Sequence, residues 1–191
     1  MPGSVILLHG PSSAGKSTLA RAIQAAMPAP FLRFSLDLFL FGDAILPARR
    51  DREGPFSRAA IRPRLQDGYY GCLAALTAAG NDLVLDVIIE DDWQARHLSA
   101  ALSGRDVFTI GLHCPLPELE RRERARGDRP PGDARRDLVL LDRYGPYDLD
   151  VDSSLPPERN AEAVIAAWLA RSSPGRFQAL ADRVAGAAPS A

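Results

Sequence analysis

The chain has 191 residues, of which 46% are hydrophobic and 25% charged, and its formal net charge is −1. That balance belongs to an ordinary globular domain with a substantial core. It gives no electrostatic case for nucleic acid or a membrane surface as a partner.

No apolar stretch reaches the length of a membrane span. The first residues run straight into a strand without a basic leader, so no signal peptide is expected. Cys72 and Cys114 lie far apart without metal spacing, as two reduced structural thiols. The expectation is one cytoplasmic domain over 1–191, with oligomeric state left open.

Val5 to Leu8 reads as a buried strand. It runs into Gly10-Pro11-Ser12-Ser13-Ala14-Gly15-Lys16-Ser17-Thr18, the P-loop spacing G-x-x-x-x-G-K-[ST]. The glycines let the backbone turn and approach phosphate oxygens, and its N–H groups form an anion nest at a helix N-terminus. Lys16 is placed to reach the β- and γ-phosphates, the Ser17 hydroxyl to hold Mg²⁺, and Thr18 to lie near the α-phosphate. Lys16 is also the sole lysine among 23 basic residues, a compact charge kept where a phosphate suits it.

A helix is expected from Lys16 to Met27, ended by Pro28 and Pro30. Phe31 to Leu36 is the second strand, finishing at Asp37, at the carboxyl end where open α/β sheets place ligands. Leu38 to Leu46 reads as a short helix or lid wall, and Ser57 to Ala79 as a long helix that Pro63 kinks or begins. Asp82 to Ile89 is the most strand-like run, suited to a central parallel strand, and Asp86 interrupts it. A helix from Trp93, a strand over Val107 to Leu112, helices over Pro115 to Ala125 and Ala134 to Leu141, a strand over Leu149 to Asp152 and a helix over Pro156 to Leu169 follow. The tail adds an amphipathic helix with Phe177, Leu180 and Val184. Alternating strands and helices imply an α/β sandwich around a parallel sheet of five strands.

Several side chains carry chemistry in this frame. Asp37 is the candidate base for an attacking hydroxyl, with a helix cap as its alternative. Asp86 would cost several kcal/mol if charged and unpaired in an apolar strand, so it needs a partner: Mg²⁺ through Ser17, or a structural bond near the P-loop. Glu90 is a candidate for acceptor binding, whereas Asp91 and Asp92 suit a helix cap and first turn. Arg126 and Arg129 are candidate phosphate clamps on a lid over about 122–145, hinged at Gly127 and Gly132. Arg122 lies four residues before Arg126 on one helical face and belongs to the same set, while a solvated helix face salt-bridged through Glu118, Glu120 and Glu123 is the alternative, weighing most for Arg121, Arg122 and Arg124. Ser153 ends the last strand beside the P-loop and suits contacts to the nucleotide. Phe39 and neighbouring aromatics mark an acceptor region over about 38–70, or core.

With these residues together, the chain resembles the chloramphenicol phosphotransferase-like family of small P-loop kinases. The matching pieces are Gly10 to Thr18, Leu36-Asp37, Asp86, Ala125-Arg126-Gly127-Asp128-Arg129, and Tyr147-Asp148-Leu149-Asp150-Val151-Asp152-Ser153. The resemblance implies a P-loop kinase sandwich with a lid after the fourth strand, and ATP- and Mg²⁺-dependent phosphorylation of a hydroxyl. Asp37 matches the family's base, and Arg126 and Arg129 its lid arginines. Between Phe39 and Tyr70 the sequence departs, being rich in arginine; the expected small-molecule acceptor is an antibiotic, chloramphenicol-like or nucleoside-like, with a nucleoside-like metabolite as the alternative, and a partly anionic acceptor would account for the arginines. A metabolic kinase of the shikimate, gluconate or nucleoside type, or a regulatory ATP binder without catalysis, stand as alternatives. The absence of a second lysine removes the Asn-Lys-x-Asp signature of guanine-reading GTPases.

Overall fold

Apolar, β-forming runs make five strands in this computed structural model, which describes residues 1–42, 45–126, 132–171 and 175–186. They are β1 (Val5–His9), β2 (Phe31–Ser35), β3 (Asp82–Val87), β4 (Val107–His113) and β5 (Leu149–Asp152). All pair in parallel, in the order β2-β3-β1-β4-β5. β1, at the centre, is buried along its whole length, as its unbroken apolar run predicts for a strand covered on both faces. From β1 the chain travels to the far edge, returns through β3, and then crosses to β4. The carboxyl ends of β1 and β3 therefore border a crevice where the winding reverses, the ligand position of open α/β sheets.

Eight helices are described: α1 (Lys16–Ala26), α2 (Leu36–Phe41), α3 (Arg58–Ala78), α4 (Asp92–Ala101), α5 (Leu116–Arg126), α6 (Asp133–Tyr144), α7 (Pro157–Ala170) and α8 (Phe177–Gly186). The two sheet faces bury separate apolar layers. Leu7, Leu83 and Leu85 pack with Tyr69, Leu73, Leu98 and Phe177. Ile6, Leu8 and Ile110 pack with Leu19, Ile23, Val164 and Trp168 from α1 and α7. No described helix is long and apolar enough to cross a membrane.

Two local differences from the sequence expectation bear on the site. The Ser35 side chain accepts from the Asp37 N–H and caps α2, so β2 stops one residue early and Asp37 lies in a helical first turn rather than at a strand end. Ser57 caps α3 through Ala60, so the helix begins at Arg58 and Pro63 is inside it.

Candidate active site

The P-loop is shaped by backbone requirements as much as by phosphate. Gly15 caps α1 at φ 95° and Ser13 sits at φ 64°, conformations in the left-handed region where a side chain is disfavoured. Gly10 has a further reason besides phosphate approach. A Cβ there would lie 2.8 Å from the Leu112 carbonyl oxygen of β4, so this glycine lets the loop pass close to the sheet. The buried Lys16 ammonium donates to the Gly10 and Pro11 carbonyls, both at 2.9 Å. His9, the residue before the loop, is pushed down to about 3, chiefly by burial and then by Lys16. Its Nδ1 pairs with the Tyr147 hydroxyl at 2.6 Å, and that hydroxyl donates to the Leu141 carbonyl. His9 is thus a neutral strut between β1 and the β5 approach.

One cavity of about 1040 Å³ opens over the carboxyl ends of the sheet. Residues from Ser12 to Thr18 line it, together with Asp37 and Asp86. Asp86 stands level with Leu8 and Ser35 on the neighbouring strands, and its carboxylate accepts from the Ser17 hydroxyl. The buried carboxylate therefore has the partner that its place in an apolar strand demands. A hydroxyl beside a carboxylate is a hard oxygen pair of the kind Mg²⁺ takes alongside phosphates and water. Among the described residues no group of three or more His, Cys, Asp or Glu gathers as a metal cage.

Arg122, for which clamp and solvated face are both open in the sequence, reaches inward. Its guanidinium donates to the Ala14 carbonyl at 3.3 Å and to the Ser153 carbonyl at 2.9 Å, while Glu118 holds its Nε at 2.7 Å. It ties the P-loop to the segment after β5 and borders the cavity with Arg126 and Ser153. Arg121 follows the expected pattern, paired with Glu118 at the surface. Arg129 and Gly127 lie outside the described residues.

Glu123 is buried rather than solvated. Its carboxylate accepts from the Gly132 and Ala134 N–H groups, both at 3.0 Å, and these bonds hold its carboxyl below the usual range. It thereby caps α6 from α5.

α6 supplies two residues that the sequence reading missed. The buried Asp137 carboxylate accepts from the Ser12 N–H at 3.1 Å and from Arg136 at 2.9 Å. Arg136 also meets Asp133 at 2.9 Å and borders the cavity. No local pattern announces a contact between positions 125 residues apart.

On the acceptor side, α2 presents Leu36, Leu40 and Phe41 to the cavity, and α3 presents Arg58 and Arg62. Phe39, the expected acceptor contact, does not line it. Helical spacing turns Phe39 the other way, edge-on to Phe34 at 5.7 Å and to Tyr69 at 5.6 Å, in the core. Phe41 takes the wall position, its ring under the Arg58 guanidinium at 4.4 Å. Glu90 does border the cavity, paired with Arg62 at 3.3 Å. Asp91 caps α4 and Asp92 lies in its first turn, as expected. Two arginines of this region meet carboxylates within the protein, Arg49 with Asp51 and Arg62 with Glu90.

Residues 3–169 match the chloramphenicol phosphotransferase-like protein family. The chain belongs to that family. It is an ATP-dependent small-molecule kinase. A proposed O-phosphotransferase of Mycobacterium tuberculosis H37Rv is 29% identical, over 81% of this chain and 77% of its own length. A guanylate kinase of Gluconobacter oxydans is 31% identical over 73% of both chains. Among solved structures, a Deinococcus radiodurans tunicamycin resistance protein superposes with a TM-score of 0.62 at 21% identity, covering 89% of this chain and 97% of that one. An APS kinase of M. tuberculosis, solved with AMPPNP and APS, gives 0.61 at 18% identity, covering 88% and 99%. At such identities these structures establish the P-loop kinase fold and nothing finer.

Proposed function

We propose that this protein transfers the γ-phosphoryl group of ATP, with Mg²⁺, to a hydroxyl of a small antibiotic, chloramphenicol-like or nucleoside-like, and so confers resistance. The observation that carries the reading is that Asp37 faces the same cavity as Lys16, Ser17 and Asp86. A carboxylate there accepts the proton of an attacking hydroxyl as the phosphoryl group leaves ATP. Lys16 and the loop amides bind the β- and γ-phosphates and offset the charge that develops on them. Ser17, with Asp86 behind it, would hold Mg²⁺, which when bound neutralises phosphate charge. Arg122 and Ser153 border the same cavity and would contact the nucleotide, and Arg126 and Arg129 are assigned to shield the transferring group. The family's description as chloramphenicol phosphotransferase-like supports the antibiotic acceptor.

The guanylate kinase relative favours a second reading, transfer to a nucleoside monophosphate. There the attacking oxygen already carries charge and needs no base, so Asp37 would be dispensable. A panel of hydroxylated antibiotics, nucleosides and nucleoside monophosphates, incubated with ATP and Mg²⁺, separates the two. A hydroxyl compound gaining the mass of one HPO₃ group is expected. Product from monophosphates alone would establish the second reading.

A further inference from the structure

Phosphoryl transfer by itself does not explain why a carboxylate and a guanidinium stand side by side on the acceptor wall. Glu90 follows β3 and Arg62 lies on α3; their side chains meet at 3.3 Å. Both border the cavity that Asp37 faces, and Asp37 follows β2, the strand next to β3.

The carboxylate is fastened from behind. Gln94 is buried, 4% exposed. Its Oε1 accepts from the Glu90 N–H and its Nε2 donates to Glu90 Oε2, both at 3.1 Å. Turning Glu90 away would cost a buried amide one of its hydrogen bonds. Behind Gln94 is a space of about 10 Å³ bordered by Tyr69. The Tyr69 hydroxyl is buried and has no hydrogen-bond partner among the described residues.

Charge narrows what this wall takes. Arg136 stands 4.0 Å from Glu90 but is also paired with Asp133 and Asp137. An anionic group entering here meets Glu90 and Asp37. A cationic one meets Arg62 and Arg58. A hydroxyl donates to the carboxylate and accepts from the guanidinium at once.

We propose that Glu90 and Arg62 form a subsite for a second, non-reacting hydroxyl of an uncharged acceptor, with Gln94 as the positioning residue that holds it. The acceptor is then a diol or polyol, one hydroxyl at Asp37 and another at Glu90. This rests on the hydroxyl-kinase reading above.

The test pairs substrate and protein deletions. Uridine, its 2′-deoxy and 3′-deoxy analogues, chloramphenicol, its 1-deoxy analogue and uridine 5′-monophosphate are assayed with ATP and Mg²⁺. For the diol that yields product, removing its non-reacting hydroxyl is expected to raise KM about tenfold or more, the loss of a hydrogen bond to a charged group. Glu90→Gln raises KM for the diol similarly, adds nothing for the deoxy analogue, and leaves the KM for ATP unchanged. Gln94→Leu shows the same acceptor effect at a melting temperature within a few degrees of the original. Additive penalties, an unchanged acceptor KM in Glu90→Gln, or preference for the monophosphate overturn the subsite while leaving a working kinase. No phosphorylated product from any compound overturns the hydroxyl-kinase reading and the subsite with it.

Discussion

The two halves of the cavity are built by different means. The donor half is mostly backbone from one continuous stretch, Ser12 to Thr18, with Arg122 and Ser153 closing it. The acceptor half is side chains gathered from separate segments: Asp37 and Phe41 on α2, Arg58 and Arg62 on α3, Glu90 after β3 and Arg136 on α6. Triphosphate recognition by a backbone nest needs a fixed local spacing. An acceptor pocket needs only that the right side chains meet, wherever the chain supplies them. The same fold can therefore keep one donor half and change its acceptor.

That division is open to test by substitution. The largest effect belongs to the donor half. Lys16→Ala is expected to lower phosphoryl transfer by about 10³-fold, as for other preorganised charges at a reacting centre, in a coupled ADP-release assay with any active acceptor. Unchanged turnover would remove the P-loop from the chemistry.

A crossed pair sharpens the boundary between the halves. Arg122→Ala is expected to raise the KM for ATP about tenfold and leave the acceptor KM alone, while Arg62→Ala does the reverse, each losing charge-assisted hydrogen bonds. Equal effects of both variants on both substrates would dissolve the division.

The smallest effect is on stability. Asp137→Asn weakens the bond to the Ser12 N–H and leaves Arg136 with less compensation. It should cost about 1–3 kcal/mol in urea unfolding, with transfer reduced less than in Lys16→Ala. A stability change near zero would mean that α6 is not anchored to the loop through this carboxylate.

The sequence read well where physics acts locally. β5 matches the structure residue for residue, and α1 is off by a single residue, because apolar runs, a left-handed glycine and flanking prolines act within a few positions. Asp86 announced its own partner, since a charge in an apolar strand requires one, and Ser17 is that partner. For Phe39 the sequence left acceptor wall and core both open, because an aromatic in a short helix looks the same whether it faces a ligand or Tyr69; the onset of α2 at Leu36 turns it to the core. Asp137 escaped because its contact, 125 residues away in the chain, leaves no mark nearby, and the same holds for the tie from Arg122 to Ala14, 108 residues away. The salt-bridged outer face of α5, with Arg121 on Glu118 and Arg135 of α6 reaching Glu120, masks the inward turn of Arg122.

The most direct test of the account is a paired measurement on Asp37→Asn: the dissociation constant for ATP and the rate of transfer to a hydroxyl acceptor, in one preparation. The account predicts an ATP dissociation constant within about twofold of the original and a transfer rate lower by about 10²–10⁴-fold, the range of a lost general base. Transfer to a hydroxyl at an undiminished rate in Asp37→Asn would contradict it.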